Sequence, residues 1–251
     1  MQVILNIYRI LRVLLKQAIG IEPVVWVKHS IPLRYHGHKV YGGWSIPDGF
    51  INEKSNVIDV GLGEDISFSQ SLIQEHGCTI HGFDPTPRAI DFIEKQDQKK
   101  FFLHKFGLGG TSRTERFFLP NESSNVSGSI AHASHLGARE ISVELLSLED
   151  LLKLIEKNSI ALLKIDIEGA EYEFIESHDF VRLSSKIDIL CIEFHHRWPQ
   201  FGAIATRKAV KRLEGAGFTC IWRAKASNEE FTFMQTKKIR NSVASNNLKK
   251  T

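Results

Sequence analysis

An α/β fold, with a mainly parallel sheet and helices on both faces, is predicted by three features of this sequence. The first is the run Asn56-Val57-Ile58-Asp59-Val60 feeding into Gly61-Leu62-Gly63-Glu64-Asp65, a buried-type strand that breaks into a glycine turn. The second is the rhythm behind it, in which apolar runs of strand length alternate with amphipathic stretches as far as residue 215. The third is a closing pair of runs, Phe218–Arg223 and Glu230–Gln235, whose short polar separation predicts an antiparallel pair.

The elements follow in order. Residues 2–19 are mostly apolar around a narrow stripe of Asn6, Arg9, Arg12 and Lys16, which recur at helical spacing and share one face. Two central arginines argue against a transmembrane span, and no small-residue cleavage site marks a signal peptide. Such a helix either packs on protein or lies in an anionic membrane surface. Residues 21–55 are irregular and aromatic, and read as a segment covering the sheet or lining the cleft. From 56 the pattern predicts strands at 56–61, 78–83, 100–106, 114–119, 141–146, 160–166 and 187–194. Helices are predicted at 65–76, 87–96, 148–157, 171–177 and 204–215. Gly77 stands in a helix-stop position, and Ser147 with Asp150 forms a capping box. Four units result: an amphipathic helix over 1–20, a cover segment over 21–55, a cofactor-binding domain over 56–236 and a basic, disordered tail over 237–251.

Composition narrows the function classes. A 42% hydrophobic, 24% charged chain of 251 residues fits one globular domain with additions at its ends. The net charge of +3 is small and partly confined to the tail, so nucleic acid is not expected as a partner. Cys78, Cys191 and Cys220 are far apart, odd in number and set in apolar runs, which fits reduced packing residues and a cytoplasmic compartment. His36 and His38 lack the companions of a metal site, so no metal ligand is assigned there.

The chemistry is expected at the strand ends. Gly61 and Gly63 let the backbone turn tightly and a ligand approach closely. Asp84 ends the second strand 21 residues beyond Gly63, where a carboxylate accepts the hydroxyls of a ribose. A nicotinamide dinucleotide calls for a third glycine where this chain has Ile66, and Glu64 and Asp65 repel a diphosphate. A nucleoside without phosphate fits better, which points to S-adenosylmethionine. Asp166 ends a later strand, and Glu193 and His195 are spaced to share a face at the end of the next.

At these residues the chain resembles the FkbM-type family of S-adenosylmethionine-dependent methyltransferases. Val57-Ile58-Asp59-Val60-Gly61-Leu62-Gly63 is similar to its first motif and Gly82-Phe83-Asp84-Pro85-Thr86-Pro87 to its second. Leu163-Lys164-Ile165-Asp166-Ile167-Glu168-Gly169-Ala170-Glu171 matches its most distinctive stretch, and Glu193-Phe194-His195 matches the strand end that follows. One departure is Gly61-Leu62-Gly63-Glu64-Asp65, where many members have Gly-Ala-Asn-x-Gly. The resemblance implies a class I methyltransferase sheet, seven strands in the order 3-2-1-4-5-7-6 with the last antiparallel, and methyl transfer to an oxygen of a glycan or metabolite. It implies that Asp59, Gly61 and Gly63 hold the methionine part of the cofactor and Asp84 its ribose. Gly107 and Leu108 would lie near the adenine.

For the base that removes the acceptor proton, His195 has the suitable ordinary pKa, with Asp166 or Glu193 orienting it or acting directly. A divalent ion such as Mg²⁺ between Asp166 and Glu193 is compatible with the carboxylates but not required by them. The acceptor is expected to be a small molecule or glycan, walled by Trp44, the loop over 121–137 and His196-Arg197-Trp198. Two other classes stay open: an NAD-dependent oxidoreductase, and a non-catalytic binding domain on the same fold.

Overall fold

The computed structural model describes residues 2–38, 42–96, 99–119 and 139–239. The chain opens with helix α1 (Gln2–Ala18) and a hairpin of β1 (Leu33–His36) and β2 (Trp44–Pro47). Then come β3 (Asn56–Val60), α2 (Ser67–His76), β4 (Thr79–Phe83), α3 (Pro87–Ile93) and β5 (Phe101–His104). A small sheet of β6 (Gly107–Leu108), β7 (Arg113–Leu119) and β8 (Arg139–Leu146) intervenes. It is followed by α4 (Leu148–Leu154), β9 (Ile160–Ile165), α5 (Glu171–Glu176), α6 (His178–Leu183), β10 (Ile187–Glu193) and α7 (Gly202–Gly215). β11 (Phe218–Arg223) and β12 (Glu230–Gln235) close the fold.

Seven strands form one mixed sheet in the order β5-β4-β3-β9-β10-β12-β11. β12 runs antiparallel to both its neighbours, and the other pairs are parallel. The chain builds outward from β3 in one direction and then returns to start again at β9. That reversal leaves a crevice at the carboxyl edge between β3 and β9, where open α/β sheets bind ligands.

Strand alternation decides which side chains reach that crevice. Ile58, Val60, Leu163 and Ile165 share a core with residues of α4 to α7, whereas Val57, Leu162, Ile189 and Cys191 pack with Trp44, Ile46, Phe68 and Leu72. Asp59 and Lys164 are cross-strand partners, and their buried side chains form an ion pair at 2.9 Å. Asp59 also accepts from Ser69 Oγ at 2.7 Å.

The local signals hold where their physics is strong. Gly77 caps α2 in the left-handed region at φ +62°, and Ser147 Oγ accepts from Asp150 N–H at the start of α4. The β1–β2 hairpin has no counterpart in the sequence pattern. Its strands are four residues each, too short to show a period, and Thr232 Oγ1 of β12 donates to Ser45 O at 2.8 Å. The segment therefore covers the sheet, and Trp44 is fully buried within it. α6 was also hidden, because Ser177 ends α5 and caps α6 at once. Residues 236–239 form a helical turn whose Ile239 is buried, so the stretch predicted to be disordered from 237 begins anchored. Residues 240–251 and 121–137 lie outside the described residues.

Candidate active site

A cleft of about 300 Å³ opens at the carboxyl ends of β3, β4 and β9. Gly61, Leu62 and Gly63 form its floor, and Phe83, Pro85, Leu108, Phe117 and Leu145 supply apolar walls. Glu64, Asp65, Asp84, Asp166 and Glu168 also line it, with no lysine or arginine among the described lining residues.

The turn after β3 exists because residue 61 has no side chain. Gly61 sits at φ +78°, and a Cβ there would stand 1.6 Å from the backbone oxygen of Asp166. The turn is then clamped from both sides. Asp84 Oδ2 accepts from the backbone N–H groups of Leu62 (2.9 Å) and Gly63 (3.0 Å). Its Oδ1 accepts from Thr86 N–H (2.8 Å) and Thr86 Oγ1 (2.6 Å). From beneath, Lys164 Nζ donates to Gly61 O at 3.3 Å while pairing with Asp59. Burial works against the Lys164 ammonium, but Asp59 and Asp166 outweigh it and hold it above the ordinary lysine range.

These contacts revise two expectations. Asp59 lines no part of the cleft and acts through Lys164, because strand alternation turns it toward Ser69 and away from the crevice. Asp84 does line the cleft, but its four accepted bonds fill the roughly four lone-pair sites of a carboxylate. It is a turn clamp before it is a ribose ligand. Gly61, Gly63, Gly107 and Leu108 lie in the cleft.

The acidic end is built around His195. Glu171 is fully buried, and its Oε1 accepts from His195 N–H at 2.9 Å and faces the ring Nδ1 at 3.1 Å. On the other side His195 Nε2 lies 3.2 Å from Glu168 Oε2 and 3.8 Å from Asp166 Oδ1. Glu168 reaches it from a left-handed backbone at φ +51°, which costs about 1 kcal/mol in a residue with a Cβ. The following Gly169, at φ +96°, completes the reversal where a Cβ would meet Phe201 at 2.6 Å.

Electrostatics then reassigns the roles. Burial alone lowers the His195 ring, yet its bonds to Glu168 and Glu171 prevail and push it up to about 12. With both nitrogens facing carboxylates, the ring is held toward its protonated form, which counts against the free base that the sequence led us to expect. Asp166 is raised to about 6, first by burial and then by Glu168 and Glu171, against the pull of Lys164 and His195. Glu193 is raised well above its ordinary value by burial and by Asp166, and it does not line the cleft.

Asp166, Glu168 and His195 each bring a possible ligand atom within 4.8 Å of the others, a set that contains Glu168 in place of the expected Glu193. Glu168 and Glu171 stand in the acidic run 166–171 but were not singled out, since helix periodicity does not reveal that both turn onto one histidine. The expected acceptor wall also changes. Trp44 is fully buried with Lys164 Nζ of β9 5.1 Å from its ring centroid, His196 and Arg197 pair with Glu22, and Trp198 stands edge-on to His195 at 5.2 Å.

Known proteins share parts of this chain's sequence and fold to a limited degree. The chain is 22% identical over 162 residues to the probable methyltransferase-like protein 24 of Homo sapiens, covering 64% of this chain and 38% of that protein. The chain thus spans well under half the length of that relative. Among solved structures, methyltransferase FkbM from Methylobacillus flagellatus KT aligns with a TM-score of 0.46 at 11% identity, over 73% of this chain and 44% of that one. The fibrillarin of Aeropyrum pernix, solved with natively bound S-adenosyl-L-methionine, aligns with a TM-score of 0.41 at 8% identity, over 85% of each chain. The family model of the methyltransferase FkbM domain matches residues 52–223, from four residues before β3 to the end of β11, and the chain belongs to that family of S-adenosylmethionine-dependent methyltransferases.

Proposed function

We propose that this chain transfers a methyl group from S-adenosylmethionine to a hydroxyl of a glycan or small metabolite. The observation that carries the reading is the cleft: a glycine turn at the sheet's switch point, lined by carboxylates and by no cation among the described residues. Counted from β3, the sheet order reads 3-2-1-4-5-7-6, which supports the class I architecture implied by the family.

The residues present fit this cofactor. An acidic lining favours a sulfonium and an amino group and disfavours a dinucleotide's diphosphate. Phe83, Pro85, Leu108 and Phe117 offer apolar surface for a flat base. When bound, S-adenosylmethionine supplies the electrophilic methyl group. Gly61 and Gly63 admit the ligand against the backbone, and Asp84 and Lys164 hold that turn in place.

For the acceptor, Asp166 is the proton-accepting group on position: it directly follows β9, lines the cleft and lies beside the turn. His195, fixed by Glu171 and held toward its protonated form, stands next to it. Asp166, Glu168 and His195 have the donors for a divalent ion such as Mg²⁺, and no step here depends on one. No helix among the described residues is long and apolar enough to cross a membrane. The reading includes peripheral contact through α1, whose Ile4, Ile7, Tyr8, Leu11 and Leu15 are exposed and which carries no acidic residue.

The test is transfer of a labelled methyl group from S-adenosylmethionine to a panel of hydroxyl-bearing acceptors, for wild type and Asp166→Asn. The wild type labels an acceptor, and Asp166→Asn turns over about 10²–10⁴-fold more slowly with cofactor affinity within a few-fold. Equal turnover by the variant removes Asp166 from the chemistry.

A further inference from the structure

A second cavity, of about 540 Å³, lies between α1 and the loop joining β11 to β12. Its lining inverts the charge of the cleft. Arg9, Arg12 and Lys16 enter from α1, Arg197 from the turn after β10, and Lys225 from the β11–β12 loop, against Glu22 and Glu230. Both acids are already engaged. Glu22 holds Arg197 at 3.0 Å and faces Lys16 at 3.9 Å, and Glu230 accepts from Ser227. Arg9, Arg12 and Lys225 have no carboxylate partner among the described residues. Arg9 and Arg12 are three apart, so they stand on one helical face, and Lys225 meets them from a different element.

This cavity adjoins the cleft. Gly42 lines the cavity, and a Cβ on it would lie 2.5 Å from Oδ2 of Asp65, which lines the cleft. An acidic lining and a basic one thereby stand in neighbouring compartments.

We propose that the cavity binds a phosphate group, carried by the molecule whose hydroxyl is presented to the cleft. The role as acceptor grip rests on the methyl-transfer reading, whereas the phosphate binding does not. Phosphate is the chemistry these groups suit: two guanidinium forks can meet a tetrahedral oxyanion in pairs of hydrogen bonds, and Lys225 adds a point charge. The phosphate belongs either to a lipid headgroup, reached beside the exposed apolar face of α1, or to a free phosphorylated metabolite.

The experiment uses the full chain with inorganic pyrophosphate by calorimetry. In parallel, it is sedimented with vesicles of phosphatidylcholine, with and without phosphatidylglycerol. Wild type, an Arg9→Ala, Arg12→Ala double variant and Lys225→Ala are compared, each also titrated with S-adenosylmethionine. Pyrophosphate affinity lower by at least tenfold in both variants, with cofactor affinity unchanged, assigns the site to a free phosphate. Sedimentation only with anionic vesicles, lost in both variants, assigns it to a headgroup. Lys225→Ala separates the cavity from a cationic helix lying on lipid, since Lys225 is not on the helix. If neither probe binds, or if both variants bind as wild type does, the proposal fails. Phosphate binding without cofactor binding keeps this site and removes the methyl-transfer reading.

Discussion

Asp84 accepts two bonds from the glycine turn and two from Thr86, so its carboxylate shapes the floor on which a ligand must lie. Asp84→Ala leaves the buried Leu62 N–H without a partner, at a cost of about 2 kcal/mol. The variant should therefore melt several degrees lower and bind S-adenosylmethionine at least tenfold more weakly. A residue that only gripped the ribose would lose affinity with its melting temperature intact, so thermal denaturation beside calorimetry decides between the two. Asp59 and His195 teach a related lesson at the same scale. The family resemblance marked Asp59 and a strand-end position marked His195 as site residues, but what each does depends on partners far away in sequence. Lys164 stands 105 positions from Asp59, and Glu171 is 24 positions from His195. A single chain read along its length shows neither pairing.

At the scale of elements, strand ends were legible and the segments tying the fold together were not. The strand-then-glycine pattern at 56–63 and the turn at 84–87 follow from local chemistry, and the structure places both at one edge. The attachment of the amino-terminal segment rests instead on Glu22, which is 1% exposed. Glu22 meets His196 Nε2 at 2.6 Å, Arg197 Nε at 3.0 Å and Asn228 Nδ2 at 3.0 Å, linking the stretch after α1 to the end of β10 and to the terminal hairpin. Burial alone raises its carboxyl, but His196, Asn228 and Arg197 outweigh this and lower it to about 2. The ionised form is thus favoured by folding. Its contribution is fully present above about pH 4.5 and is lost as pH falls through about 2. Glu22→Gln should cost roughly 3 kcal/mol at neutral pH, the scale for breaking a buried pair, and the gap from wild type should close in strong acid. Denaturant unfolding at pH 7 and pH 2 checks this, and a gap that persists unchanged at pH 2 counts against the network.

Over the whole molecule, charge is distributed by compartment, although the net charge of +3 conceals it. The cleft gathers carboxylates, and the cavity behind α1 gathers guanidinium and ammonium groups. Composition cannot show this, because it is the reversal between β3 and β9 and the placement of α1 across from the β11–β12 loop that sort the residues. Gly107, Leu108 and the strand order came from the family resemblance, whereas alternation and turn chemistry were enough for a mainly parallel sheet and for Gly61, Gly63 and Asp166 in the cleft. They could not reach Glu168, whose place depends on a left-handed backbone, or the cover provided by β1 and β2. The central claim is that the acidic cleft selects a cationic, phosphate-free nucleoside cofactor. Its most direct test is calorimetric titration of the purified chain with S-adenosylmethionine and, separately, with NAD. Micromolar binding of S-adenosylmethionine and none of NAD is the expected result; binding of NAD alone contradicts the account at its root.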